Sequence, residues 1–403
     1  MRTRPCWVEI RTSALEGNYR FLEGLAPPQA ELMAVLKADA YGHSLALCAP
    51  AVVRAGARWI GVTTVEEGVA ARRLCPETRV MVIGGVVPGQ GATLIEEGLT
   101  AVVWESAQLD DLESAARAAG LPAGSLPLHL EIDTGMSRQG ADPDALAPLL
   151  ARFASGSPLR LEGIMTHLYA ADEADGQANR AQLDQLQKAL EVVEAAGLYP
   201  DWLNVGQSSV LFSTIIVDLT ALAARHGMRA LLRPGIALYG VIPRFYPELE
   251  LDLPAALISA RSKLRPVLTW KTQVMSLRTI PAGTVVGYNG TFVATETMRL
   301  ALVTLGYADG LSRSLGNRFS LLVRGQRAPL VGRVSMDHAI LDVTEISGVE
   351  AGDEVVILGT QGDETISAYD HADASETIPW EVFTRIAARV RRTPVALAVS
   401  GLP

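Results

Sequence analysis

Between residues 30 and 240, short apolar or β-branched runs alternate with longer stretches whose apolar residues recur at helical spacing. We interpret the short runs as buried parallel strands and the longer stretches as amphipathic helices. The predicted strands span 31–36, 59–63, 79–83, 101–104, 126–132, 161–167, 202–205 and 229–238. The predicted helices between them span 44–55, 65–74, 90–97, 106–119, 143–153, 177–196 and 209–225. Eight strands separated by helices favour an α/β fold, a (β/α)₈ TIM-type barrel, over an open sheet.

After residue 243 the pattern changes to short strands separated by turns. The predicted strands of this part span 268–277, 284–287, 300–304, 319–323, 328–334, 339–343 and 354–358, and two helices near 366–373 and 379–389 close the chain. This pattern predicts a separate C-terminal, mostly β domain. A helix over 12–25 is expected before the barrel, and 244–258 is the best candidate for the linker between the domains.

Composition narrows the class of protein. With 403 residues, of which 49% are hydrophobic and 20% charged, the chain can bury more than one core, so we expect two domains. The net charge of −9 includes no block of Lys or Arg, which argues against nucleic acid and membrane partners. No apolar run reaches about 18 residues, and the first residues lack the apolar stretch of a signal peptide, so we expect a cytoplasmic protein.

Cysteines and histidines give no sign of a metal site. The three cysteines are an odd number without CxxC spacing, which is typical of buried apolar side chains rather than of a disulfide framework or a zinc site. Five of the histidines form no ligand spacing and are expected to be structural. They are His43, His129, His226, His338 and His371.

Polar side chains follow the predicted barrel strands, at the end where such barrels carry their functional residues. Lys37 directly follows the first strand, and a lysine there is partly buried, which lowers its pKa and suits it to imine formation. The alternative is a lysine that snorkels out of the barrel mouth. Tyr41 and Gly42 weigh against that alternative because they supply a hydroxyl and a flexible turn. Other polar residues after strands are Glu131, Asp133, Arg138, Thr166, His167, Ser208, Ser209 and Arg233.

The segment 34–43 (AVLKADAYGH) resembles the cofactor-lysine segment of alanine racemases. Further segments resemble that family in the same order, and the likeness covers nearly the whole chain. They are 4–7 (RPCW), 131–138 (EIDTGMSR), 166–167 (TH), 233–240 (RPGIALYG), 306–310 (GYADG) and 331–337 (VGRVSMD). The resemblance implies a cofactor-binding barrel over 10–243 and a β domain formed by 1–9 and 250–403. It also implies a Schiff base between Lys37 and pyridoxal 5'-phosphate, and a homodimer whose active sites are shared.

Racemisation removes a Cα proton from one face of the substrate and returns it on the other, so two opposing bases are needed. The resemblance implies that Lys37 is one base, once the substrate amine has displaced it from the cofactor. Tyr288, in 286–291 (VGYNGT), is implied to be the other. A phenol needs nearby positive charge to act near neutral pH, and His167 and Arg233 are implied to provide that network. The alternative for Tyr288 is a tyrosine packed by its ring in the β domain.

The other cofactor contacts follow from the same resemblance. Arg233 is implied to donate a hydrogen bond to the pyridine nitrogen, which leaves the ring largely unprotonated and limits transamination. A structural ion pair is its alternative role. The residues implied to bind the phosphate are Tyr41, Ser208 and the backbone N–H groups of Gly235 and Ile236. Ser209 is an alternative to Ser208, because 207–210 (QSSV) stands where family members commonly read Asn-Ser-Ala-Ala. A serine here can also cap a helix.

On the substrate side, the resemblance implies that Arg138 pairs with the carboxylate, helped by the N–H of Met336. Tyr307 is implied to line the entrance and to restrict side-chain size, and Asp337 is a supporting residue. Many family members carry a lysine, often carbamylated, where this chain has Glu131. Since Glu131 supplies a carboxylate directly, we expect it to orient Arg138 without carbon dioxide chemistry.

Other departures from the family pattern concern the cofactor and the entrance. Ala388 replaces a phosphate-binding tyrosine of some members, which is expected to weaken cofactor retention. Residues 310–313 (GLSR) and 335–338 (SMDH) replace Gly-Tyr-Pro-Arg and Cys-Met-Asp-Gln. Since both segments are expected near the entrance, they leave the substrate preference open.

The sequence therefore predicts a homodimeric racemase that acts on alanine first and supplies D-alanine for peptidoglycan, as the resemblance implies. One rival is a broad-specificity or serine racemase of the same fold. Another is a decarboxylase of similar architecture, although the chain shows neither the Gly-rich phosphate loop nor the late Cys-Asp motif of that group. A non-catalytic pyridoxal phosphate-binding protein is the rival from another class, but such proteins usually lack a second domain.

Overall fold

The structure, a computed structural model, describes residues 4–173, 176–246, 259–260 and 263–395. Its chain separates into two compact units. The barrel unit comprises 14–40 and 48–265, and the β unit comprises 1–13, 41–47 and 266–403, as far as these ranges are described. Most of the predicted linker, 247–258, lies outside the described residues. The domain bounds expected from the sequence remain a prediction.

Eight parallel strands close into a barrel in the barrel unit. After β1 (Cys6–Ile10), which belongs to the β unit, they are β2 (Ala30–Val35), β3 (Trp59–Val62), β4 (Arg79–Val82), β5 (Thr100–Val103), β6 (Leu126–Glu131), β7 (Leu159–Met165), β8 (Trp202–Gln207) and β9 (Arg229–Arg233). The last strand pairs with the first, with Ala230 opposite Ala30. A buried cluster is formed by Met33, Trp59, Met81, Val102, Met165, Trp202 and Leu231. The predicted fold class is confirmed.

The helices of the first 240 residues follow their amphipathic patterns. They are α1 (Thr12–Leu25), α2 (Leu45–Ala55), α3 (Val65–Leu74), α4 (Gly91–Glu96), α5 (Ser106–Ala118), α6 (Ala147–Leu150), α7 (Gln177–Ala195) and α8 (Ile215–Arg225). At the start of α3, the Thr64 hydroxyl accepts a hydrogen bond from the N–H of Glu67. Such a cap satisfies one of the donors that every helix start leaves without an intrahelical partner.

Three predicted elements of the first 240 residues are wrong in extent. The strand predicted over 229–238 ends at Arg233, because Pro234 has no N–H to continue the ladder, and Ile236–Tyr239 form a 3₁₀ turn. The helix predicted over 143–153 is broken into short pieces around Pro148. The helix predicted over 209–225 begins as a separate 3₁₀ turn, because extended backbone at Ser213 interrupts it.

The β unit contains a nine-stranded sheet and a two-stranded hairpin. Its strands besides β1 are β10 (Leu268–Ile280), β11 (Val285–Val286), β12 (Phe292–Val293), β13 (Met298–Val303), β14 (Ser320–Val323), β15 (Gln326–Pro329), β16 (Ala339–Asp342), β17 (Glu354–Gln361), β18 (Glu364–Ile366) and β19 (Arg391–Pro394). The main order is β15-β14-β17-β10-β1-β19, with β13 paired to β10 and β16, and β18 paired to β17. The hairpin pairs β11 with β12.

The first strand of the chain is built into this sheet, since β1 runs antiparallel to β10 and parallel to β19. Two short helices, α9 (Ala368–Ser375) and α10 (Pro379–Thr384), follow β18. The strand predicted over 328–334 ends at Pro329, and Gly332 turns the chain with φ +74°. The helix predicted over 379–389 is shorter than expected and ends at Thr384.

Within the described ranges, no helix is long and apolar enough to cross a membrane. Nor do the described residues contain a group of three or more His, Cys, Asp or Glu side chains that could hold a metal ion.

Candidate active site

Lys37 stands at the carboxyl end of β2, directly after the fully buried Leu36. Burial lowers the pKa of its amine, and the positive charges of Arg138 and Arg233 lower it further, while Glu67 raises it. Partial burial beside two guanidinium groups favours the neutral amine, which is the nucleophilic form.

The chain leaves Lys37 in a left-handed turn. Ala38, Asp39, Ala40 and Tyr41 have φ angles of 54°, 52°, 56° and 54°, and the N–H of Ala40 donates to the carbonyl of Leu36 at 2.8 Å. Each non-glycine residue in this conformation costs roughly 1–2 kcal/mol. Such strain persists only where other contacts hold the backbone.

Arg233, at the end of β9, is buried and surrounded by acceptors of the barrel. Its guanidinium donates to Asn204 Oδ1 at 2.6 Å and to the carbonyl of Thr166 at 2.8 Å. It also lies 3.3 Å from Nδ1 of His167. Burial lowers the pKa of Arg233 to about 10, and the positive charge of Arg138 also lowers it, whereas Glu131 raises it. Arg233 therefore stays charged at neutral pH.

His167 is neutral at this end of the barrel. Burial lowers its pKa to about 3, and the charges of Arg233, Arg138 and Lys37 act in the same direction. A neutral imidazole offers one acceptor nitrogen, so Nδ1 can accept from Arg233 and the proton stays on Nε2.

Behind Arg233 lies a buried polar network that reasoning from the sequence missed. The amide of Asn204 donates to Nδ1 of His129 at 3.3 Å, and Nε2 of His129 lies 3.6 Å from a carboxylate oxygen of Glu162. That carboxylate is paired with Arg79 at 2.5 Å. A Cβ on Gly163 would lie 2.4 Å from the His129 ring, so only glycine leaves room for it. Polar residues inside buried strands were the available signal.

Ser208 lies where the resemblance places a phosphate ligand. Its Oγ accepts hydrogen bonds from the N–H groups of Gly235 and Ala237, at 3.0 and 3.2 Å. Both of its lone pairs are thus occupied, and its own proton is left to donate. The N–H of Gly235 is therefore engaged with Ser208, whereas that of Ile236 has no hydrogen-bond partner among the described residues. Ser209 is also buried.

Glu131, which the sequence predicts to orient Arg138, contacts Gln139, the residue next to Arg138 in the chain. Its carboxylate accepts a hydrogen bond from Gln139 Nε2 at 2.6 Å, and no hydrogen bond or ion pair with Arg138 occurs among the described residues. Burial raises the pKa of Glu131, although Gln139, Arg233 and Arg138 counteract the shift. Arg138 is exposed. Its loop is held by Asp133, whose carboxylate accepts from the N–H groups of residues 135–137.

The remaining predicted residues lie in the β unit. Tyr41 is buried, and burial raises the pKa of its hydroxyl. Tyr288 begins the 3₁₀ turn between β11 and β12 and is 68% exposed. Met336 and Tyr307 are 55% and 43% exposed. Among the described residues of this unit, the side chains of Tyr288, Tyr307 and Met336 have no hydrogen-bond or ion-pair partner.

A buried carboxylate organises the loops that carry Tyr307 and Met336. The backbones meet directly, since the N–H of Ala308 donates to the carbonyl of Met336, and a Cβ on Gly306 would come within 2.2 Å of that oxygen. Asp309 accepts from the N–H of Gly306 and from two arginines. These arginines are Arg4 and Arg389, and Arg389 also binds Asp337 at 2.7 Å. The ionic cluster around Asp309 was not predicted from the sequence.

The chain matches two family models. Residues 10–243 match the alanine racemase N-terminal domain, and residues 267–394 match the alanine racemase C-terminal domain. Among curated proteins, the alanine racemase of Halothermothrix orenii is 35% identical over 97% of both chains. That of Symbiobacterium thermophilum is 36% identical over 96% of this chain and 97% of its own.

Solved structures agree with these matches. The alanine racemase from the D-cycloserine producer Streptomyces lavendulae is 34% identical, covers 98% of each chain and superposes with a TM-score of 0.86. The alanine racemase from Bartonella henselae, solved with covalently bound pyridoxal phosphate, is 27% identical and covers 97% of this chain and 99% of its own, with a TM-score of 0.80.

Proposed function

The chain belongs to the alanine racemase family, and from this premise we propose that it interconverts L- and D-alanine with pyridoxal 5'-phosphate held at Lys37. The observation that carries the proposal is the surroundings of Lys37. Its amine ends a buried strand with a lowered pKa, in the same barrel mouth as the charged Arg233 and the neutral His167. A lysine in such a place is suited to bind a carbonyl group covalently.

The residues at the barrel end fit an anionic cofactor. The positive charges of Arg138 and Arg233 act there on the amine of Lys37, and the nearby carboxylate of Glu131 has a raised pKa. A phosphate group would offset this excess of positive charge. The free proton of Ser208 and the N–H of Ile236 would bind it, which supports Ser208 over Ser209. When bound, the cofactor would withdraw electrons from the substrate Cα and so make its proton acidic.

Arg233 would donate to the ring nitrogen of that cofactor. Because it holds its charge and two barrel acceptors fix its position, it would not pass a proton to the ring. The network from Asn204 to Glu162 would keep the guanidinium in place.

Two bases on different units would move the Cα proton. Lys37 Nζ would exchange it on one face, and Tyr288 Oη on the other. We infer that the chain is a homodimer in which the partner's β unit supplies Tyr288, Tyr307 and Met336. Their exposure in the single chain supports this, since large apolar side chains exposed together are typical of an interface.

The substrate would be held by its carboxylate. Arg138 is exposed and its loop is anchored by Asp133, so it would bind the carboxylate together with the N–H of Met336. Glu131 would act on Arg138 by its charge and through Gln139, the residue next to Arg138 in the chain. Asp337 would hold the Met336 loop through Arg389, and Tyr307 would restrict the size of the substrate side chain.

A broad-specificity or serine racemase is the second candidate. It is favoured by residues 310–313 (GLSR) and 335–338 (SMDH), which depart from the family pattern next to Tyr307 and Met336, the residues proposed to lie near the substrate. In either case we propose a cytoplasmic enzyme, and for alanine a supply of D-alanine for peptidoglycan.

One experiment tests the reaction and its substrate. The holoenzyme is incubated in deuterated water with L-alanine, L-serine or a larger L-amino acid, and α-deuteration and enantiomer ratio are measured. We expect deuteration and racemisation together, fastest for alanine. Equal or faster turnover of serine would support the second candidate. Cofactor binding without α-deuteration of any substrate would contradict catalysis altogether, and loss of the carboxylate would indicate a decarboxylase.

A further inference from the structure

The turn after Lys37 is strained, so something must hold it. Ala38 and Ala40 lie in the left-handed region, where a Cβ is disfavoured, and both would adopt a right-handed helix more easily. The N–H of Ala40 bonds to the carbonyl of Leu36, as in the first turn of a helix. The N–H groups before it therefore need partners from outside the turn.

Glu67 provides that partner from the next α/β segment. Its Oε1 accepts from the N–H of Ala38 at 2.7 Å and from the N–H of Asp39 at 3.4 Å. Its Oε2 accepts from the N–H of Thr63 at 2.8 Å. One carboxylate thus joins the turn behind Lys37 to the loop that follows β3.

The position of Glu67 in the first turn of α3 lets its side chain reach these N–H groups. Glu67 is the third residue of that helix, where a side chain often reaches back to the N–H of the capping residue. Here Thr64 caps the helix by accepting from the N–H of Glu67, and the carboxylate reaches one residue further, to Thr63. Both carboxylate oxygens are occupied by backbone N–H groups outside α3.

We propose that Glu67 is a positioning residue for the cofactor lysine: it caps the left-handed turn and thereby sets the direction in which Lys37 leaves β2. The proposal rests on the proposed function, since Lys37 matters as the cofactor anchor. Glu67 would touch neither substrate nor cofactor. It acts through the backbone of Ala38 and Asp39.

Glu67 also carries a negative charge that raises the pKa of Lys37, against burial and the charges of Arg138 and Arg233. A capping role and a charge role can be separated by substitution. Glu67→Gln removes the charge but keeps one oxygen, so it can cap either the turn or Thr63 but not both. Glu67→Ala removes charge and cap together.

A second substitution separates the effect of backbone strain in the turn from the effect of the Glu67 charge. Glycine adopts positive φ readily, so Ala38→Gly lowers the cost of the left-handed turn without touching any charge. If Glu67 works by holding the strained backbone, Ala38→Gly rescues Glu67→Ala. If it works by charge on Lys37, the glycine has no effect. Glu66, next to Glu67 on the same helix and exposed, supplies the matched controls Glu66→Ala and Glu66→Gln.

The experiment follows the full-length chain before and after addition of pyridoxal 5'-phosphate. Hydrogen exchange of the Ala38 and Asp39 amides is measured first. The rate of covalent bond formation at Lys37 is then followed by the visible absorbance and by borohydride trapping. For Glu67→Ala we expect amide exchange to rise about tenfold and bond formation to slow about tenfold, as for loss of a cap.

Glu67→Gln should lie between wild type and Glu67→Ala, and both Glu66 variants should match wild type within about twofold. Glu67→Ala with Ala38→Gly should recover most of the rate of bond formation. Unchanged amide exchange in Glu67→Ala, or no recovery with glycine, would overturn the proposal. If wild type shows this exchange pattern but racemises no amino acid, the proposed function fails while the capping role of Glu67 stands.

Discussion

The barrel end and the loops of the β unit contribute to the proposed active site in opposite ways. In the barrel, Arg233 is 4% exposed and Ser208 is buried, and both are held by hydrogen bonds within the barrel unit. In the β unit, Tyr288 and Met336 are more than half exposed and stand on turns. The barrel side is preorganised within one chain, whereas in the proposed dimer the groups of the β side would join a site only through the partner chain.

The largest effect is expected at the preorganised side. Lys37→Ala should abolish covalent cofactor binding and lower racemisation by about 10⁴-fold or more, because anchor and base are lost together. Visible absorbance and chiral analysis measure the two losses. The exposed Lys188 on α7 gives the control Lys188→Ala, which should behave as wild type. Racemisation that survives in Lys37→Ala would contradict the role of Lys37.

A substitution on the β side should slow proton transfer without changing cofactor binding. Tyr288→Phe should reduce racemisation by about 10²–10⁴-fold, the usual contribution of a positioned acid or base, while the Lys37 absorbance stays unchanged. Tyr199, exposed on the barrel unit, supplies the control Tyr199→Phe. Full activity in Tyr288→Phe would remove the two-base proposal and leave Lys37 as an anchor only.

A mixture of the two inactive variants tests whether Lys37 of one chain and Tyr288 of the partner chain form one active site. In a hybrid dimer of Lys37→Ala and Tyr288→Phe, one site has both residues replaced and the other has both intact. After unfolding and refolding together in equal amounts, half of the dimers are hybrids, so about one quarter of wild-type activity should return. No recovery, with hybrids confirmed by mass, would place both bases in one chain.

The smallest expected effect concerns the stability of the fold at low pH, to which a buried histidine of each unit contributes. Burial lowers the pKa of His371 in the β unit to about 4, although its hydrogen bond to Ile357 and Asp370 counteract the shift, while His167 in the barrel lies near 3. Unfolded histidine titrates near 6.5, so the stability that each neutral histidine contributes is complete above that pH. It is lost as the pH falls towards the folded value.

For His371 this amounts to about 2 kcal/mol between pH 7.5 and 5.0. Urea unfolding of wild type and His371→Gln at the two pH values separates the contribution of His371 to the free energy of unfolding from that of the other histidines. We expect His371→Gln to be less stable at pH 7.5 but less sensitive to acid. Equal pH dependence in both proteins would show that His371 does not stay neutral in the fold.

Much of the barrel was predictable because its pattern is local. Apolar runs of four to ten residues that alternate with helical stretches are typical of parallel strands buried on both faces, and each of the eight predicted runs overlaps a barrel strand. Lys37 could also be identified as a candidate from the sequence, since a charged residue directly after an apolar strand is unusual. Three of the errors in extent lie at Pro148, Pro234 and Gly332, where the backbone geometry of a single residue ends an element.

The hand of the turn after Lys37 could not be predicted. Alanine favours right-handed helix, so Ala38 and Ala40 argue locally against the observed backbone. The turn exists because Glu67, about thirty residues further along the chain, supplies the acceptor. Glu131 is a similar case, because the sequence did not reveal that its carboxylate accepts a hydrogen bond from Gln139.

By itself the sequence determined the periodicity of the strands, the placement of Lys37 and the ordered motifs that indicate a racemase. Only the tertiary structure decided which groups pair: Arg233 with Asn204 and Glu67 with the turn. The physical reason is that periodicity and composition are local properties of the chain. The partner of a buried polar group, by contrast, depends on which distant strands share a barrel and on which donors burial leaves without water.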